Sequence, residues 1–130
     1  MRVVGSVFAV VVLGSAVAGL APAAAQDCRN PRDQHTMNRC AEDGLRAADL
    51  DLNAQYRHTR KIVAAVDLRG EQALVVAQRA WIAFRDAHCE AATWPVKGGT
   101  MEPLFRFSCL ARTTEARTAE LKRFESGFGN

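Results

Sequence analysis

The stretch Gln78-Arg79-Ala80-Trp81-Ile82-Ala83-Phe84-Arg85-Asp86-Ala87-His88-Cys89 decides the fold. Its large side chains recur every three or four residues. With Leu74 and Ala77 upstream, Gln78, Trp81, Phe84, Arg85 and His88 fall on one side of a helix, and Ile82 and Cys89 lie beside them. Nothing here alternates with the period of two that a strand needs. The pattern predicts a helix over about 71–92, with Trp81, Ile82 and Phe84 turned toward a core. Arg85 follows Trp81 by four residues on the same face, so it needs a carboxylate partner, and Asp49 is the one we expect.

Working outward, the upstream segment from about Arg32 to Val66 carries one apolar stripe. Met37, Cys40 or Ala41, Leu45, Ala48, Leu52, Tyr56, Thr59, Val63 and Val66 recur at helical steps. Pro31 stands just ahead, where a helix tolerates proline. Unbroken, the segment is roughly 50 Å long; Gly44 or the polar run Asp49 to Asn53 would divide it into two collinear helices. Asp67-Leu68-Arg69-Gly70 ends it, with Gly70 expected in a left-handed cap. Downstream, Thr93-Trp94-Pro95-Val96-Lys97-Gly98-Gly99 reads as a loop. Thr100 is the expected N-cap of a third helix running to about Phe124, striped by Leu104, Phe107, Leu110, Thr114, Arg117, Leu121 and Phe124. Glu125 to Asn130 is expected to fray. The fold class is therefore all-α, a small antiparallel bundle of three helices, or four if the first divides.

The N-terminus is a different material. Met1-Arg2 is followed by an apolar run to Leu20, and Ala23 and Ala25 fit the small-residue rule for cleavage before Gln26. A membrane anchor is the competing reading, weakened by Gly5, Gly14, Gly19 and Pro22. Residues 1–25 are thus expected to be a signal peptide, and 26–130 one helical domain of roughly 105 residues, not embedded in the membrane and either periplasmic or secreted. All four cysteines, Cys28, Cys40, Cys89 and Cys109, fall after the cleavage point, and an even count in an exported chain argues for two disulfides. Three pairings are open. Proximity along the chain favours Cys28–Cys40 and Cys89–Cys109, each stabilising by about 3 kcal/mol in the chain-entropy model. Zinc is disfavoured because no C-x-x-C pair exists.

Charge excludes little except nucleic acid. The whole chain carries a formal +3, and its basic residues are interleaved with acidic ones apart from the short run Arg57 to Lys61. Such a run in an exported protein reads as a solvated helix face, and no nucleic-acid partner is expected. No catalytic constellation emerges either. His35, His58 and His88 do not pair at ligand spacing, Ser108 and Ser126 lack a strained elbow, and Glu42–Arg46 and Asp49–Asn53 read as ordinary pairs four residues apart. No metal site, cofactor or enzymatic activity is expected.

One ordered set of motifs is specific. Cys28 to Cys40 followed by Ala41, then Ala48-Asp49-x-x-Leu52-Asn53-x-x-Tyr56, then Gln78-Arg79-Ala80-Trp81-Ile82-x-Phe84-Arg85-Asp86-x-x-Cys89, then Gly98-Gly99-Thr100 and Cys109, resembles the lysozyme-inhibitor LprI-like N-terminal domain family over about Asp27 to Leu121. The resemblance implies a helical, disulfide-bonded domain of the bacterial cell envelope, and beyond that lysozyme inhibition. Within the motif, Asp49, Asn53, Tyr56, Trp81 and Arg85 are read as structural. An inhibitor has to occupy a sugar-binding cleft that holds two acidic groups. The loop Trp94 to Gly99, stiffened by Pro95 and tied at its base by a Cys89–Cys109 bridge, is the expected binding element. There Lys97 would approach the carboxylates and Trp94 would cover apolar cleft surface; a plain connector is the competing reading. The partner is expected to be lysozyme or another envelope protein. In the second case the domain is a structural or adaptor module, and a cell-wall-active enzyme is the third reading.

Overall fold

The computed structural model describes residues 28–128; the signal peptide expected over 1–25 lies outside the described residues. The first helix, α1, runs Gln34–Val66 without a break. Asp33 starts it from an extended backbone: its carboxylate accepts the Thr36 N–H at 2.8 Å and the Thr36 hydroxyl at 2.9 Å. Neither Gly44 nor Asp49 to Asn53 divides it. Ala48, Leu52, Thr59 and Val63 are buried along one stripe of this helix, and such tertiary packing outweighs the ~1 kcal/mol that one helical glycine costs.

A single residue makes the turn into α2, Leu68–Thr93. Asp67 is extended, donates its N–H to the Val63 carbonyl at 2.9 Å, and caps α2 by accepting the Arg69 N–H at 2.9 Å. The helix therefore begins three residues before the expected start at 71, and Gly70 is helical rather than a left-handed cap. What Gly70 supplies is room. A Cβ there would stand 3.3 Å from Cγ1 of the fully buried Val63.

A short 3₁₀ turn, Trp94–Val96, leads to α3, Glu102–Ser126. Thr100 does not cap α3; the N-cap is Met101, with no side-chain bond. Thr100 instead offers its carbonyl to the Asn38 amide at 3.0 Å, and the Glu102 carboxylate accepts the N–H of Gly98, whose φ of +79° only glycine adopts readily. Glu125, expected in a frayed tail, is helical and tied to α1.

Consecutive helices are antiparallel, so α1 and α3 run parallel. Asn38 meets Thr100 at one end, and Thr59 meets Glu125 at the other, at 3.0 Å. These two helices pack along most of their length, while α2 touches each of them less. Buried small residues on the facing sides, Ala48 and Thr59 on α1 and Thr114 on α3, permit that approach.

The core has two parts. Leu52, Val63, Leu74 and Leu121 form one, with Tyr56, Trp81 and Phe128 packed against it. Cys89, Cys109 and Leu110 form the other, with Leu45 beside them. The disulfides are Cys28–Cys40 and Cys89–Cys109, the pairing that proximity favours. Contrary to the periodicity, Ile82 and Phe84 face solvent, 43% and 58% exposed, and Trp81 is half-buried. The buried residues of α2 are Leu74, Gln78, Cys89 and Thr93, a seam that the neighbouring helices close over near its two ends while Ile82 and Phe84, in between along the chain, stay in solvent.

Candidate functional site

The motif residues Asp49, Trp81 and Arg85 meet in a polar network that joins the helices. Arg85 Nη1 donates to Asp49 Oδ1 at 3.0 Å and to the Thr114 hydroxyl at 3.2 Å, and its Nε donates to Asp86 at 3.0 Å. The guanidinium carbon lies 5.4 Å from the Trp81 ring centroid, and that of Arg117 lies 5.9 Å from the same ring. Arg117 in turn donates to the buried Gln78 at 3.0 Å and to Glu120 at 3.1 Å. Tyr56 belongs to the adjoining apolar cluster, with the Arg60 guanidinium 5.7 Å above its ring and Arg60 paired with Glu71. Asn53 is exposed and takes no part. The bonds of Arg85 and Arg117 thus run from α2 to α1 and between α2 and α3.

The loop after α2 is built differently. Trp94 is 65% exposed, and the Lys97 ammonium folds back 4.8 Å over its ring. Lys97 also pairs with Glu90, whose second oxygen accepts from Arg106 Nη1 at 2.6 Å. The hydrogen bond and charge of Lys97, then Arg106, hold the Glu90 carboxyl below its ordinary range. Glu90 follows Cys89, Arg106 precedes Cys109 by three residues, and the disulfide between those cysteines closes the base of the loop. The Thr93 hydroxyl donates to the Cys89 carbonyl at 2.7 Å and anchors the start of the turn. Beyond the loop, Met101 and Phe105 are exposed, and Phe105 with Leu104, Ser108 and Arg112 lines a shallow groove.

Trp94 and Lys97, the residues expected to bind, are thus accessible and in contact with each other. Lys97 does not stand free at a tip. It shares the Glu90 carboxylate with Arg106, and Glu102, bonded to Gly98 of the same loop, supplies a second negative charge. Sequence reasoning missed Glu90 and Arg106. Their signal was available once a Cys89–Cys109 bridge was assumed, since that bridge brings their positions together. Among the described residues no three His, Cys, Asp or Glu side chains group as metal ligands.

Comparison with known proteins adds a family. The sequence model for "Lysozyme inhibitor LprI" matches residues 25–121. An uncharacterized protein of Rhizobium meliloti (strain 1021) is 44% identical over 124 residues, covering 85% of this chain and 89% of its own length. No solved structure matches.

Proposed function

We propose that this chain, which belongs to the lysozyme inhibitor LprI family, is an exported cell-envelope binding protein that inhibits lysozyme by seating the Trp94-to-Thr100 loop in the enzyme's cleft. The observation that carries the reading is Trp94, 65% exposed on a loop whose base is locked by a disulfide and an ion cluster. A large apolar side chain held in place before binding costs little ordering on association, which is the usual physics of an interface anchor. Lys97 and Arg106 place two cations at the loop, balanced in the free protein by Glu90 and Glu102. Exchange of those carboxylates for the two acidic groups of a cleft is the electrostatic part of the reading.

Export to the periplasm or medium is supported by the leader pattern in residues 1–25 and by two formed disulfides. No helix of the described residues is long and apolar enough to cross a membrane. The domain takes no catalytic role in this reading, in keeping with the family's description.

A lysozyme assay on suspended cell walls tests it, using the oxidised protein beside a reduced and alkylated control. Inhibition should rise with dose, disappear on reduction, and weaken about tenfold in Trp94→Ala and in Lys97→Glu. Full inhibition by both variants would remove the loop from the mechanism. No inhibition at all would favour an adaptor that uses the exposed face of α2, where Phe84 stacks on His88 with ring centroids 5.5 Å apart.

A further inference from the structure

The end of the bundle opposite the Trp94 loop has a shape of its own. Asp67 reverses the chain in one residue, so Val66 and Leu68 flank the turn, and both project into solvent, 62% and 66% exposed. At this end lie Phe124 of α3 and Phe128 in the turn after it, with ring centroids 4.9 Å apart. These rings and Gly70, Ala73, Leu74 and Ala77 line an apolar groove of about 320 Å³. Leu74 and Phe128 are the groove's inner wall and belong to the core, whereas Val66, Leu68 and the 43% exposed Phe124 present apolar surface to solvent.

The charges around this end are unevenly committed. Its carboxylates are engaged internally: Glu71 holds Arg60, Glu125 accepts from Thr59 and Gln55, and Asp67 caps α2. The cations Arg57, Lys61, Lys122 and Arg123 are exposed and make no ion pair among the described residues. With Glu125 level with Thr59, at 1.5 Å per residue Lys61 lies about 8 Å behind the tip and Arg57, Lys122 and Arg123 roughly 15 Å. A soluble acidic protein would match the charge but has no use for a protruding aliphatic pair. A bilayer interface uses both, because apolar side chains enter the acyl boundary while Lys and Arg stems reach back to the phosphates.

We propose that the α1–α2 turn docks peripherally on an anionic lipid surface, with Val66 and Leu68 entering the interface and Lys61, Lys122 and Arg123 meeting the headgroups. Helix α2, with 26 residues, spans about 39 Å from that tip to the Trp94 loop. A docked molecule therefore holds the loop away from the membrane, where a partner reaches it.

The test is vesicle co-sedimentation of the processed, oxidised protein, with phosphatidylcholine alone and with phosphatidylglycerol added in about a 1:2 ratio. Binding is expected only to the anionic vesicles and is expected to weaken as salt rises. Leu68→Glu, and separately Lys61→Glu with Arg123→Glu, should each lower it about tenfold or more, while Trp94→Ala leaves it unchanged. All these side chains are exposed, so circular dichroism and Tm should match the parent. Equal binding to neutral vesicles, no binding to anionic ones, or binding that survives both tip and charge variants overturns the proposal. Competition by free inorganic phosphate as strong as by anionic vesicles also overturns it, since it would reassign the cations to a soluble anion.

Discussion

Arg85 of α2 donates to Asp49 of α1 across 3.0 Å while keeping only 16% of its side chain in solvent, and the same nitrogen reaches Thr114 on α3. One guanidinium thus fixes the relative rotation of all three helices, and Trp81 beneath it supplies the apolar floor.

Removing that guanidinium leaves Thr114 and the inner oxygen of Asp49 without a donor. Arg85→Ala should destabilise by about 2 kcal/mol, less than a fully buried pair because Asp49 is partly solvated. Thermal unfolding should show a Tm lower by about 10 °C for a domain of this size. Asp49→Asn should cost about half as much, and a double-mutant cycle should show the two losses overlapping rather than adding.

Thr59 is fully buried, and its hydroxyl donates to Glu125 across the parallel pair of helices. Thr59→Val keeps the shape and removes the donor. The expected loss is about 1 kcal/mol, read by urea unfolding with an unchanged m-value. A neutral result would mean that the Gln55 amide, which donates to the same oxygen at 2.8 Å, or solvent satisfies the Glu125 carboxylate equally well.

The two disulfides differ in access. Cys89 and Cys109 are buried in the second core cluster, whereas Cys28 is exposed and Cys40 half-buried. Under limiting reductant, Cys28–Cys40 should open first, and mass spectrometry after alkylation should find two labels before four. Replacing Cys89 and Cys109 with alanine should cost about 3 kcal/mol. Simultaneous opening of both bridges would contradict the packing described here.

Glu90 has a folded pKa below its ordinary 4.5, chiefly because Lys97 bonds to it. The carboxylate's hold on the loop is therefore complete above the unfolded value and is lost as pH falls through the lower, folded one. Carboxyl chemical shifts of Glu90 followed by NMR should titrate below 4.5. The Trp94 fluorescence change that accompanies loosening should vanish in Glu90→Gln. Titration at or above the ordinary value would mean that the ion cluster does not form in solution.

Much of this was legible in the residues alone. Three amphipathic stripes marked three helices, nearest-neighbour cysteines paired, and an arginine on an inward face found the expected aspartate. Each of these follows from local periodicity or short chain separation, which sequence displays directly. The misreadings of buried faces share one cause, while those at Gly70, Thr100 and Glu125 concern helix ends. Periodicity identifies which side chains share a face, but not how wide a strip of that face a neighbour covers. On α2 the neighbours cover Leu74, Gln78, Cys89 and Thr93 and leave Ile82 and Phe84 in solvent. Gly70 looked like a terminator and is instead a point of contact with Val63.

What only the tertiary structure decided is the pairing of distant surfaces: α1 alongside α3, Glu125 under Thr59, Arg106 and Lys97 on Glu90, and four cations without an ion pair among the described residues gathered behind Val66 and Leu68. Helix formation is governed by neighbours three and four residues away, and so it is written along the chain. Which faces close on one another is set by side-chain volume and by satisfaction of charge across the whole bundle, and those quantities exist only once the helices have met.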